Sequence, residues 1–212
     1  GYLRKHSLKN INQHAATMKQ FLPMQYEYDD MIQWFKTLPL FYESECFRVV
    51  HATWDKTAIG YLENHTNNGV LPHEKYLELS NTSSELNKSI EVVLKGKETR
   101  LPYGKSFRDK DGTIRFDTRI KWWQNPKFKT LKEMSIIEDL DISDILFTPS
   151  NQEYYNSKEK PVFFGHYWLN GTPELIRHNV CCLDYSVAKG GVLCAYRYDG
   201  ENKLDKNKLL WV

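Results

Sequence analysis

Two segments of this sequence run an apolar, strand-like stretch into a histidine. Phe47-Arg48-Val49-Val50 leads to His51, and Pro161-Val162-Phe163-Phe164-Gly165 leads to His166. A histidine at the end of a buried strand is held rigidly while its imidazole faces the sheet rim, where α/β folds place their sites. Gly165 leaves room for a close approach to the backbone, as at a metal or a phosphate. Neutral imidazole suits zinc, iron and other borderline metals, and carboxylates usually complete such sites. The same pattern also describes two hydrogen-bonded histidines that merely close their strands. If both serve one metal, their ring nitrogens should lie within about 5 Å of each other.

A second group of candidates lies between them. Arg115, Arg119, Lys121, Trp122 and Trp123 gather on and after one expected strand. Arg115 and Arg119 are four apart, hence on one face of an extended chain, with Ile114, Phe116 and Ile120 on the other. A cationic face suits phosphate and the Trp pair suits stacking on a base, which makes Arg115 and Arg119 candidates for substrate binding. A solvated face with its tryptophans in the core is the alternative. Asp109-Lys110-Asp111-Gly112 could open a calcium loop, but Ile120 stands where an EF-hand needs Glu, so a hairpin turn is expected. Lys189-Gly190-Gly191 lacks the glycines and surroundings of a P-loop and reads as a turn into a strand. Cys46, Cys181, Cys182 and Cys194 contain no C-x-x-C pair. Adjacent Cys181 and Cys182 point to opposite faces of a strand, so buried reduced thiols are expected.

The elements that must position these residues start with helices. Leu8 to Leu22 forms an amphipathic helix stopped at Pro23, and Asp29 to Thr37 a second, ended by Pro39. Leu40–Glu43 and Cys46–His51 read as a hairpin. Helices are expected over Lys56–Asn64, Pro72–Leu79 and Ser84–Leu94, the last flanked by Thr82 and Ser83 and closed by Gly96. Two β-rich runs follow, Lys105–Arg108 and Thr113–Trp122. Residues 124–160 are expected to be surface loop with one helix near Thr130–Asp139. Strands then recur at Pro161–Phe164, Leu175–Arg177, Val180–Tyr185, Gly191–Tyr198 and Leu209–Val212, as in an antiparallel meander.

With 212 residues and 41% hydrophobic content the chain has enough apolar material for one domain, or for one large domain with an insert. The formal net charge of +2 argues against duplex nucleic acid as a partner, because affinity for a duplex rests on many phosphate contacts. No run approaches the roughly 18 apolar residues needed to cross a bilayer, so no membrane partner is expected. With no apolar leader at its polar start and reduced thiols, the chain is expected to be cytoplasmic.

In order along the chain come Val50-His51-Ala52-Thr53-Trp54-Asp55, Phe163-Phe164-Gly165-His166, Leu183-Asp184-Tyr185-Ser186-Val187-Ala188-Lys189-Gly190-Gly191, Leu193-Cys194-Ala195-Tyr196-Arg197 and Asp199-Gly200-Glu201. This series resembles the carboxyl-terminal part of a calcineurin-like metallophosphoesterase, in the bacterial branch related to serine/threonine protein phosphatases and diadenosine tetraphosphatases. The resemblance implies an α/β fold, a sandwich of mixed β-sheets flanked by helices, here incomplete. Residues 1–212 would be the carboxyl-terminal part of the catalytic domain, with 56–160 an inserted helical and hairpin region or cap.

Of the family's five metal-site motifs, His51 stands at the fourth and His166 at the fifth, both as ligands of the second metal. The D-x-H, G-D-x-x-D-R and G-N-H-E motifs are absent from these 212 residues and would be expected before Gly1. With them would lie the bridging Asp, the Asn ligand and the general acid, so the chain is expected to be the back half of an enzyme and inactive alone. In the family's site two metal ions about 3.5–4 Å apart hold the phosphate oxygens and acidify a bound water. Mn, Fe, Zn or Ni would fit such ligands, with at most weak binding of a single metal by this chain. The implied substrate is a phosphoprotein, a dinucleoside polyphosphate or another small phosphorylated molecule. The alternative is a non-catalytic binding module that keeps part of the fold. Loss of the front half would leave apolar sheet surface and an unpaired edge uncovered, so self-association is also expected.

Overall fold

The computed structural model describes residues 7–109, 112–137, 140, 142, 145–149 and 153–212. Lys110 and Asp111 of the expected turn, Glu138 and Asp139 of the expected helix end, and Ser150, Asn151 and Gln152 of the expected loop lie outside them.

Local signals set most element ends. The Ser7 hydroxyl accepts the Asn10 amide at 3.2 Å and starts α1 (Leu8–Phe21), which stops at the tight turn Leu22–Met24 containing Pro23. α2 (Gln25–Thr37) starts earlier than Asp29, because the turn delivers Gln25 already in helical geometry. Leu38 is extended ahead of Pro39 and ends it. β1 (Phe41–Glu43) and β2 (Arg48–Val50) form the expected hairpin, with the Ser44 amide donating to the Phe47 carbonyl at 2.9 Å. The Asp55 carboxylate caps α3 (Lys56–Glu63) through the Ala58 amide at 2.9 Å. His73–Ser80 is a run of tight helical turns rather than an α-helix. α4 (Glu85–Lys95) is capped by Ser84 and ends at Gly96, where φ is +97°.

β3 (Glu98–Arg100), β4 (Phe107–Arg108), β5 (Ile114–Arg115) and β6 (Asp117–Arg119) then form two small antiparallel pairs, β3 with β6 and β4 with β5. The strand expected over Thr113–Trp122 is therefore broken at Phe116, and its two parts have different partners. This break leaves Ile114 and Phe116 exposed while Ile120 is buried, so the three do not share the inward face that unbroken alternation implies. After them come α5 (Leu131–Met134), held by a Thr130–Glu133 capping box, and β7 (Val162–Phe164), β8 (Val180–Cys182), β9 (Asp184–Tyr185), β10 (Val192–Tyr196) and β11 (Leu209–Trp211).

The chain is thus mixed α/β, with several small sheets and five α-helices among the described residues. Only part of the carboxyl-terminal region is the expected meander. β9, β10 and β11 pair antiparallel, whereas β7 pairs parallel with both β2 and β8 in the order β1-β2-β7-β8. Leu175–Arg177 is not a strand. Arg177 spends its guanidinium on the Trp123 and Tyr155 carbonyls and the Asn179 side chain, at 3.1, 2.6 and 2.8 Å.

Both faces of β7 and β8 are covered, which accounts for their unbroken apolar sequence. Val162, Phe164, Val180 and Cys182 pack with α3, α4, Trp122 and Trp123 on one side. Phe163 and Cys181 pack with Tyr185, Cys194 and Leu209 on the other. Leu101, Leu131, Leu140 and Ile142 make a separate small cluster. The adjacent cysteines do face opposite ways, and all four thiols are free, although Cys46 is exposed. No helix among the described residues is long and apolar enough to cross a membrane.

Candidate metal and phosphate site

The parallel register of β2 and β7 sets Arg48 beside Val162 and Val49 beside Phe163. Two steps further along, the Gly165 amide donates to the His51 carbonyl at 2.9 Å. His166 then adopts a left-handed backbone with φ of +66°, a conformation few residues with a Cβ take up. Its ring comes to lie beside that of His51, with centroids 5.1 Å apart and planes at 44°. A Cβ built on Gly165 would meet Asp184 Cβ at 3.4 Å and the His51 carbonyl at 3.6 Å, ordinary contacts. The small residue is therefore not demanded by its present neighbours.

The segment after His166 is anchored in the core. Tyr167 is buried, donates its hydroxyl proton to the Ile120 carbonyl at 3.1 Å and lies 3.4 Å from the Thr53 hydroxyl. Asp184 faces this turn from β9. Its carboxylate accepts the Ser186 amide at 3.1 Å and the Trp168 amide at 3.4 Å. Ser186 and Trp168 are themselves left-handed, at φ of +59° and +51°. The run from Asp184 to Gly191 is a compact turn that fixes Asp184. Gly190 is left-handed at +83°, and a Cβ on Gly191 would stand 1.9 Å from the Tyr185 carbonyl oxygen. No residue but glycine fits there without moving the backbone.

Burial, the Arg119 guanidinium and His51 push the His166 pKa down to about 4, against an opposing pull from Asp184. His51 is also lowered by burial, again opposed by Asp184. Both rings are therefore neutral at pH 7, the form in which imidazole ligates a metal. His166 Nε2 is buried with no hydrogen-bond partner among the described residues, an arrangement that ordinarily costs free energy.

Arg119 reaches this site and Arg115 does not. Arg119 Nη1 donates to the His166 carbonyl at 3.4 Å, and its Nε lies 3.9 Å from Glu98. Gly96 makes room for it, since a Cβ there would meet Arg119 Cδ at 3.1 Å. Arg115 sits in the β4–β5 pair and is ion-paired to Asp109 at 2.8 Å. Trp122 and Trp123 are 4% and 6% exposed and pack against Phe164, which is the core alternative and leaves no ring free to stack on a base.

Among the described residues no group of three or more His, Cys, Asp or Glu side chains converges closely enough to hold a metal ion. The two imidazoles fit such a group as two members of a ligand set, being neutral, adjacent and in part unpartnered, but they do not complete one. Asp184 and Glu98 were not singled out by spacing. Asp184 lies within the Leu183–Gly191 segment quoted for the resemblance and is a carboxylate in the otherwise apolar run Val180 to Tyr185, but neither feature gave it a site role, and nothing local marks Glu98. The chain matches no protein-family model, no curated protein and no solved structure.

Proposed function

We propose that this chain supplies two imidazole ligands and a phosphate-binding guanidinium to a metal-dependent phosphoesterase of the calcineurin-like type. In this reading the mixed sheets are the rear part of that family's sandwich. In it the carboxylates, the Asn ligand and the general acid would come from the D-x-H, G-D-x-x-D-R and G-N-H-E motifs, which these 212 residues lack. The observation that carries the reading is the pairing of the His51 and His166 rings, 5.1 Å apart just past the ends of neighbouring parallel strands, with His166 Nε2 buried and unpartnered among the described residues.

A bound divalent ion would supply Lewis-acid polarisation of phosphate oxygens. His51 and His166 would hold it as neutral donors. Arg119, beside His166, would bind a phosphate oxygen, and the buried Thr53–Tyr167 contact would keep the His166 turn from shifting. Arg115 has no part in this reading. The substrate stays at the level of a phosphorylated small molecule, a dinucleoside polyphosphate or a phosphoprotein.

One observation favours a second reading, a non-catalytic binding module, because no third metal-ligating group joins the pair among the described residues. Metal content and hydrolysis of a chromogenic phosphate ester, measured together, separate the two. The 212-residue chain should bind Mn or Zn weakly and show essentially no turnover. A polypeptide carrying the D-x-H, G-D-x-x-D and G-N-H-E motifs ahead of Gly1 should turn over. In it His51→Ala or His166→Ala should lower metal occupancy and reduce the rate roughly a hundredfold or more. Full activity of the 212-residue chain with both histidines replaced would sink the phosphoesterase reading. Metal binding indifferent to both would sink the site.

A further inference from the structure

No described residue of α1 or α2 is buried, yet both helices carry an apolar seam. Along α1 and into the turn after it, Leu8, Ile11, Ala15, Met18 and Leu22 are spaced alternately three and four apart. Met24, Tyr28, Met31, Phe35 and Leu38 repeat that spacing along α2. It is the spacing of a helix that packs lengthwise on another helix. The two helices touch at their join, where the Phe21 and Tyr28 rings are 5.6 Å apart, and neither contributes to a core cluster.

Between Leu8 and Leu38, ten large apolar side chains are 40 to 78% exposed. That is on the order of 1,000 Å² of largely apolar surface, against roughly 800 Å² per partner in an interface of standard size. Helices of 14 and 13 residues are marginal in water by themselves, so a partner that covers the seam would also stabilise them.

Charge selects the partner. α1 carries Lys9 and Lys19 and no carboxylate, a net of +2. α2 carries Glu27, Asp29 and Asp30 against Lys36, a net of −2. A two-fold axis between two copies lays α1 of each along α2 of the other, so a single self-complementary surface satisfies both seams and both charges. Laying like helix on like helix would oppose charges of one sign.

We infer that the α1–α2 arm is a self-association surface that joins two copies of this chain in a four-helix arrangement, α1 against the partner's α2. The surface shares no residue with the His51–His166 site and does not depend on the function proposed for it.

Light scattering and sedimentation on the 212-residue chain test this at low salt, where charge pairing is least screened. The expected result is a dimer at about 100 µM, dissociating on dilution. M31E/F35E should be monomeric with an unchanged near-ultraviolet spectrum, since the buried tryptophans Trp54, Trp122 and Trp123 report on the core. K9E/K19E makes both helices acidic, and D29K/D30K makes both basic. Each alone should weaken the dimer by about tenfold or more, and an equimolar mixture should recover it as a heterodimer. If M31E/F35E disturbs the core spectrum, the charge-reversed pair decides. A chain that stays monomeric at the higher concentration overturns the inference, and so does a dimer unaffected by the seam change. Charge-reversed variants that fail to recover on mixing overturn the α1-to-α2 pairing and with it the inference.

Discussion

The His51 carbonyl accepts the Gly165 amide at 2.9 Å, and this one bond ties the ends of two parallel strands so that His51 and His166 meet ring to ring at 5.1 Å. The geometry of the pair is thus a property of the β2–β7 register and of the left-handed turn at His166. A register slip of one residue would send one of the two rings to the other face of the sheet.

The depressed histidines predict a particular acid sensitivity. The His166 pKa is about 4 in the folded chain against an ordinary 6.5, so between those values the unfolded chain binds more protons than the folded one. Stability is then full above pH 6.5 and falls as pH drops through that window, and His51 adds to the fall in the same direction. Melting temperature recorded from about pH 7.5 to 4.5 should decline, and His166→Gln should flatten the decline. An equally steep decline in the variant would assign the effect to other groups.

Asp184 pulls both histidine pKa values upward. Asp184→Asn keeps an acceptor for the Ser186 amide but removes the charge, so both imidazoles should titrate at lower pH. Resonances of the ring protons followed through an acid titration would show the two midpoints moving down together. Midpoints that stay in place, or rise, would contradict the electrostatic role given to Asp184.

Gly191 is held by the backbone rather than by chemistry. A methyl group there would collide with the Tyr185 carbonyl at 1.9 Å, and backbone is not free to give way as a side chain end would be. Gly191→Ala should cost about 2–3 kcal/mol in urea unfolding and loosen the Asp184 turn, whereas Gly165→Ala, with contacts of 3.4 Å or more, should cost little. Equal costs at the two positions would be inconsistent with this account.

Arg48 secures the approach to the site. Its guanidinium contacts Glu43 at 2.9 Å, Glu159 at 2.8 Å and the Tyr155 hydroxyl at 3.2 Å, over the Trp54 ring at 4.9 Å. It therefore fastens β2 to the segment that enters β7. Arg48→Met should lower stability by about 1–3 kcal/mol, and Arg48→Lys should recover only part of this because an ammonium lacks the planar fork. Denaturant midpoints of the three proteins make the comparison.

The local elements were legible in the sequence because their causes are local. Pro23 and Pro39 forbid continuation and Gly96 closes α4, whereas the Ser7, Asp55 and Thr130 caps were not picked out from the sequence and α4 is capped by Ser84 rather than by the expected Thr82–Ser83 flank. The buried strand leading to His166 was legible for the same reason, as was the opposite facing of Cys181 and Cys182, whereas the strand leading to His51 is buried only at Val50 and leaves Val49 exposed. The tertiary structure alone decided which strands became neighbours. The parallel pairing of β2 with β7 forms between distant segments, and the break at Phe116 exists because β3 and β4 each claim half of one extended run. That break carried Arg119 to His166 and left Arg115 with Asp109. No spacing rule anticipates it, because the free energy that fixes strand partners comes from burying whole faces against α3, α4 and the second sheet. Short-range patterns record which residues seek burial, and only the packed chain settles which others they are buried against.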